Sequence, residues 1–234
     1  MSVPGAHAQQ QQQQPQPAQP QMQGLVTVTM GARSYQTPDG AVRFVFDRTG
    51  RSAALLRFEG DDEVHVLLPQ GGARGDEIYR NEDASIMLRV TAQGGVIVYT
   101  RANRMGAPVS EVASAAPIAP QAIAAAQLQQ RVRNLQIRAA RAVGAPVQFV
   151  VPAQMSADVA GLVVDAAERV AEGLMQAPIT NVRRVVIAFG PRPAAALRGD
   201  TLLVQVAPEM GYAGRPSSNA IRNVVTGAVQ GPEN

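Results

Sequence analysis

From residue 24 to about residue 100, short apolar runs alternate with turn signals, which is the pattern of an antiparallel β meander. Strands are expected at 42–46, 53–58, 64–68, 78–80, 86–91 and 96–100. Thr37-Pro38-Asp39-Gly40, Asp47-Arg48-Thr49-Gly50, the acidic run Glu59-Gly60-Asp61-Asp62-Glu63 and Gly94-Gly95 supply the turns. Two of the expected hairpins match without gaps at an offset of 32 residues. Leu55-Leu56-Arg57-Phe58 with Val64-His65-Val66 aligns with Met87-Leu88-Arg89-Val90 and Val96-Ile97-Val98, and Arg48 coincides with Arg80. Two readings stay open: a duplicated hairpin, or convergence on an ordinary hairpin pattern.

Beyond an Ala/Pro linker at 113–120 the period changes to that of helices. A long helix is expected from 121 to 143, ended by Gly144 and Pro146, and a strand follows at 147–151. Ser156 is a good N-cap, with Asp158 in the first turn, for a helix reaching about residue 175. Val159, Leu162, Val163, Ala166, Val170 and Leu174 keep helical spacing there. Strands at 182–189 and 202–206 are joined by a loop at 190–200, and Ser217 or Ser218 caps a last helix to about residue 226. The expected fold class is α+β. Residues 24–112 form an antiparallel meander or small barrel, and residues 113–234 form an α-β-α-β-β-α segment with helices on one face of a small sheet.

The first 23 residues fit neither pattern. Ala6-His7-Ala8 matches the small-x-small motif of a secretory cleavage site, and Pro4-Gly5 would break a preceding helix. The charged start and apolar middle of a signal peptide are missing, as if the start codon stood too far downstream or a shortened chain carried a new Met. Residues 9–23 are Gln and Pro with almost nothing else, an extended spacer that has too little apolar surface to fold. The expectation is export to the periplasm or the medium. A Gln-rich cytosolic tail that contains Ala-x-Ala by chance is the alternative.

Composition narrows the chemistry. All 21 basic residues are arginine, so Schiff-base nucleophiles, phosphate-loop lysines and Ser-Lys pairs are excluded. Cysteine is absent, which removes thiol nucleophiles, thiolate metal sites and disulfides. His7 and His65 are the two histidines, too few for a multi-histidine metal centre, and neither a cofactor nor a metal ligand set is expected. No stretch approaches the ~18 apolar residues that cross a bilayer. The net charge of +3 is weak evidence for an anionic partner.

Four features carry candidate chemistry. Arg131, Arg138 and Arg141, with Asn134, fall on one face of the first helix, which also carries Arg133, and no acidic residue stands between Val112 and Ala157. Such a face attracts an anionic polymer or lipid headgroup, or it is a solvated face paired to Asp165, Glu168 and Glu172 on the next helix. Nucleic acid is disfavoured, because no aromatic platform accompanies the charge. Asp61, Asp62, Asp76 and Glu77 are the carboxylates that a hydrolase without histidine or cysteine would use, and the plainer reading makes them solvated turns. His65 sits mid-strand, where a hydrogen-bonded, half-buried histidine is the commoner outcome than a base. Arg74-Gly75-Asp76 and Arg198-Gly199-Asp200 read as turns leading into strands.

Arg43-Phe44-Val45-Phe46-Asp47-Arg48-Thr49-Gly50, Arg74-Gly75-Asp76-Glu77-Ile78-Tyr79, Leu88-Arg89-Val90-Thr91 and Gly214-Arg215-Pro216-Ser217-Ser218 together resemble a family of exported bacterial proteins, the domain of unknown function 4908. The resemblance implies export and brings no activity and no site residues. The expected function is non-catalytic: a periplasmic or secreted protein that binds a protein partner or an envelope component. A carboxylate-dependent hydrolase and a binder of anionic polymer or lipid through the arginine helix are the alternatives.

Overall fold

The computed structural model describes Met1 and residues 31–50 and 52–227. The cleavage-like Ala6-His7-Ala8 and the Gln/Pro run lie outside the described residues. Eight strands close an antiparallel barrel in sequence order: β1 (Ala32–Gln36), β2 (Arg43–Asp47), β3 (Ala54–Phe58), β4 (His65–Gly71), β5 (Glu77–Arg80), β6 (Ile86–Val90), β7 (Val96–Thr100) and β8 (Ala107–Ser114). β8 returns to pair with β1, which carries it to Ser114, beyond the expected boundary at residue 112. Phe44, Phe46, Leu56, Leu67, Tyr79, Leu88 and Val98 fill the interior, as the small bore of eight strands allows. The aromatic rings meet edge to face, Phe46 against Tyr79 at 5.1 Å and Phe44 against Phe58 at 5.8 Å.

The two matching hairpins are parts of this one meander, and their registers differ by one residue. Leu88 pairs with Val98 across β6 and β7, yet its counterpart Leu56 pairs with His65, not with Val66. The first strands agree, since Ala54 and Leu56 are buried like Ile86 and Leu88. The side-chain period of two turns the slip into a change of face. Val96 and Val98 point into the barrel, whereas Val64 is buried outside the barrel cluster. That slip presents the segment around Glu63 and Val64 to the second half of the chain.

The second half is α1 (Ala125–Val143), β9 (Gln148–Val150), α2 (Ala157–Gln176), β10 (Arg184–Phe189), β11 (Ala194–Arg198), β12 (Thr201–Val206) and α3 (Ser218–Thr226). The sheet order is β11-β12-β10-β9, with β10 parallel to both neighbours and β11 antiparallel to β12. α2 is its central helix: Ser156 accepts from Val159 N–H at 3.4 Å, and Leu162, Val163, Val170 and Leu174 are buried against Val185, Ile187, Leu202 and Val204. The expected loop at 190–200 contains β11, one strand more than the sequence pattern predicts. Its run Ala-Ala-Ala-Leu-Arg has no β-branched or aromatic residue, so pairing with β12 across the Gly199 turn, φ +60°, makes it a strand. Both Arg-Gly-Asp tripeptides are turns, one entering β5 and the other joining β11 to β12.

Candidate functional site

A cleft of about 1450 Å³ lies between the barrel and the α+β half. β4 and the 81–85 turn line it from the barrel; β11, α3, the 208–218 segment and the end of α2 line it from the other side. Its floor is a buried network of charges. Arg215 donates from Nε to Asp165 Oδ2 and from Nη2 to the Val64 carbonyl at 2.9 Å, and its guanidinium lies 5.6 Å from the Tyr212 ring centre. Glu63 reaches the N-terminus of α3, accepting from Ser218 N–H at 3.3 Å and Ser218 Oγ at 2.6 Å. A carboxylate there satisfies an orphan helix donor and meets the positive end of the helix dipole. Arg169, 3% exposed, lies among Glu172 at 2.7 Å, Glu63 at 3.4 Å, Glu168 at 3.8 Å and Asp165 at 4.0 Å. A buried charge is tolerated only when paired and hydrogen-bonded; here Asp165, Glu168 and Glu172 come from α2 itself, and Glu63 reaches in from the barrel.

The cleft side of this network is electrostatically uneven. Burial pushes the Glu172 and Glu168 carboxyls above their ordinary range, with the neighbouring Asp165 adding to the effect on Glu168. Asp61 is held below its ordinary range, first by its hydrogen bond with His65 and also by the Glu63 N–H. His65 is partly buried, with Nε2 3.2 Å from Asp61 Oδ2 and its ring edge-on to Phe58 at 5.9 Å. Leu68 and Met210 expose apolar surface into the same space, beside the small side chains of Ala194, Ala195 and Ala196.

The four carboxylates singled out in the sequence go to separate places. Asp61 lines the cleft, and Asp62 is exposed in the turn beside it. Asp76 binds Arg89 (Nε at 2.6 Å) and the Ala92 N–H at 3.0 Å, and Glu77 takes Arg48 at 2.5 Å and the Tyr79 hydroxyl at 2.7 Å. Arg131, Arg138 and Arg141 are exposed on α1, away from the cleft lining. Among the described residues none of the three forms an ion pair, although Arg131 is near enough to pull down the Glu168 carboxyl. Among the described residues Asp165, Glu168 and Glu172 make their ion pairs with Arg169 and Arg215, not with α1. Arg169 was not singled out by the sequence pattern, though Asp165 and Glu172 stand at i−4 and i+3 from it and mark a helical ion-pair ladder. Among the described residues no group of three or more His, Asp or Glu side chains forms a metal cage.

The Gly214-Arg215-Pro216-Ser217-Ser218 motif is the hub of the site. A Cβ at Gly214 would stand 1.9 Å from the Ala207 carbonyl oxygen, so only glycine fits where the chain turns back. Arg215 and Ser218 then bind the barrel, and Ser217 caps α3 through Ala220 N–H at 3.0 Å while donating to Glu82 at 2.9 Å. No curated protein and no solved structure matches the chain. The model of the family Domain of unknown function (DUF4908) matches residues 18–225, which take in the barrel, the cleft and this hub, and the chain belongs to that family.

Proposed function

We propose that the protein is an exported, non-catalytic binding protein, periplasmic or secreted, that receives a segment of a protein partner in the cleft. The observation that carries this reading is the make-up of the cleft walls. β11 is an edge strand paired only to β12 among the described residues, and its Ala194, Ala195 and Ala196 leave backbone donors and acceptors approachable. Extended segments bind such edges by adding a strand, with pockets for alternate side chains. Leu68 on the barrel wall and Met210 on the wall of β11 itself supply apolar contact. Support for export comes from Ala6-His7-Ala8 and the Gln/Pro run after it, which read as a cleavage site and a spacer. The absence of lysine and cysteine from the chain favours binding over covalent catalysis.

Photo-crosslinking in the native host tests the cleft. A crosslinkable residue at Met210 or Ala196 is expected to capture one species of discrete mass, and a control at Met105, 91% exposed on the barrel, is not. Equal capture from all three positions, or from none, sinks the reading; a captured species that is not protein makes the partner an envelope component. Sequencing the amino terminus of the protein from fractionated cells tests export, with a chain that starts at Gln9 outside the cytoplasm as the expected result.

A carboxylate-dependent hydrolase is the second reading, favoured by one observation. Asp61, held ionised, and Glu172, pushed toward its protonated form, line the same cleft, and such a divergence suits a base and an acid. Binding ranks first because Glu172 is already engaged by Arg169 and by Gln176 at 3.3 Å. Turnover of chromogenic ester or glycoside substrates that disappears in Asp61→Asn would reverse that order.

A further inference from the structure

The tertiary structure extends the arginine face of α1 through the strand directions. α1 and α2 run the same way, since the Ile123 N–H bonds the Ala157 carbonyl at 3.1 Å where both begin. Each leads by a short connection into a strand, α1 into β9 and α2 into β10, and these strands are parallel. The last turns of both helices therefore stand at the end of the sheet where β9 and β10 begin. Gln148 pairs with Arg184 there, and β11 arrives at Arg198, opposite Thr201. Arg141, in the last turn of α1, thus joins Arg183, Arg184 and Arg198 at one end of the α+β half. All four side chains are exposed, and among the described residues none forms an ion pair. Asp200, in the turn after Arg198, accepts from the Thr201 hydroxyl at 3.2 Å.

Aliphatic surface stands among these charges. Ile179, in the connection between α2 and β10, is 87% exposed, and Met175 in the last turn of α2 is 47% exposed. Neither residue, nor any of the four arginines, lines the cleft. We propose that this end of the α+β half docks on an anionic phospholipid bilayer, with Ile179 entering the headgroup layer and the arginines on lipid phosphates. Guanidinium groups match phosphate oxygens in pairs, which suits a phosphate-bearing surface. An apolar side chain amid basic residues is the composition of an interfacial contact. A soluble polyanion would use the arginines and leave Ile179 without a role, and a single-stranded nucleic acid would call for aromatic platforms.

Flotation of the full chain with phosphatidylcholine vesicles, with and without phosphatidylglycerol, tests the proposal. Binding is expected only with phosphatidylglycerol and should weaken as salt rises. Glutamine at positions 141, 183, 184 and 198 should lower the partition constant about five-fold per arginine removed. Ile179→Ser keeps every charge and should lower it about ten-fold. These side chains are exposed, so unchanged thermal melting by circular dichroism separates lost binding from lost folding. Equal binding to neutral vesicles, or wild-type binding by the four-glutamine variant, overturns the proposal. So does salt-sensitive binding that heparin displaces and Ile179→Ser leaves unchanged, which would assign the surface to a soluble polyanion.

Discussion

Replacing Arg215 by methionine removes one cation and leaves a stem of similar length. The Arg215 side chain is 1% exposed, so no water can take over its hydrogen bonds. The change deletes the bond to Asp165, the donor to the Val64 carbonyl at 2.9 Å and the contact with Tyr212. Asp165, 12% exposed at its side chain, keeps only the Arg169 Nε at 4.0 Å, which is beyond hydrogen-bond distance. Removing one partner of a buried pair costs about 3–5 kcal/mol, because the other charge stays buried and unpaired. At a urea dependence of about 2 kcal/mol per molar, the unfolding midpoint should fall by about 2 M. Far-UV circular dichroism and tyrosine fluorescence would follow the transition, and Tyr212 beneath the guanidinium is a local reporter. Arg215→Met combined with Asp165→Leu should recover most of the loss, because an apolar pair of similar volume replaces a buried ion pair at little cost. The exposed Arg101–Asp83 pair, at 2.6 Å, is the control: Arg101, 63% exposed, should cost less than about 1 kcal/mol as methionine. If Arg215→Met stays within about 1 kcal/mol of wild type, or the double variant is no more stable than the single, the buried network does not hold the two halves together.

Three further outcomes follow from particular contacts. Gly173→Ala should destabilise by about 1–3 kcal/mol in urea titration, since its Cβ would stand 2.6 Å from the Ser218 carbonyl and 2.7 Å from Ile221, although helix propensity alone favours alanine by about 1 kcal/mol. A more stable variant would show that α3 can move away from α2 freely. Ser217→Ala should cost about 0.5–2 kcal/mol, because α3 loses its N-cap, and its thermal midpoint should fall accordingly. Asp76 is held below the usual carboxylate range, first by the Ala92 N–H and then by Arg89. Its stabilising contribution is therefore complete above the unfolded value of about 3.9 and disappears as the pH falls through the lower folded value. The stability gap between wild type and Asp76→Asn should accordingly be open at neutral pH and close in acid, and a gap independent of pH would refute the assignment.

Local pattern accounts for most of the elements. The apolar runs that became β2 through β7, the Ser156 and Ser217 caps and the Gly144 stop all follow from propensity, side-chain period and capping, which act over a few neighbouring residues. β11 was not legible, because three alanines have no strand preference and only pairing with β12 makes them one. The hairpin repeat was legible as a match of residues, but the register that sends His65 to face Leu56 depends on barrel closure.

The candidate site was legible only in fragments. Glu63 appeared as one carboxylate in a solvated turn, Arg215 and Ser218 as parts of a motif, and Asp165, Glu168 and Glu172 as a polar helix face. The fold places Glu63 against a helix N-terminus 155 residues away and Arg215 against an aspartate 50 residues away. The amino-acid types by themselves determined which chemistries were absent, since a chain without lysine or cysteine lacks those nucleophiles in any conformation. They also determined an α+β order of elements, since hydrophobic period is a local property. Which charges are buried, which are paired and which are left facing outward was decided by the tertiary structure alone. Desolvation and Coulomb attraction depend on distances through space, and separation along the chain does not encode those distances.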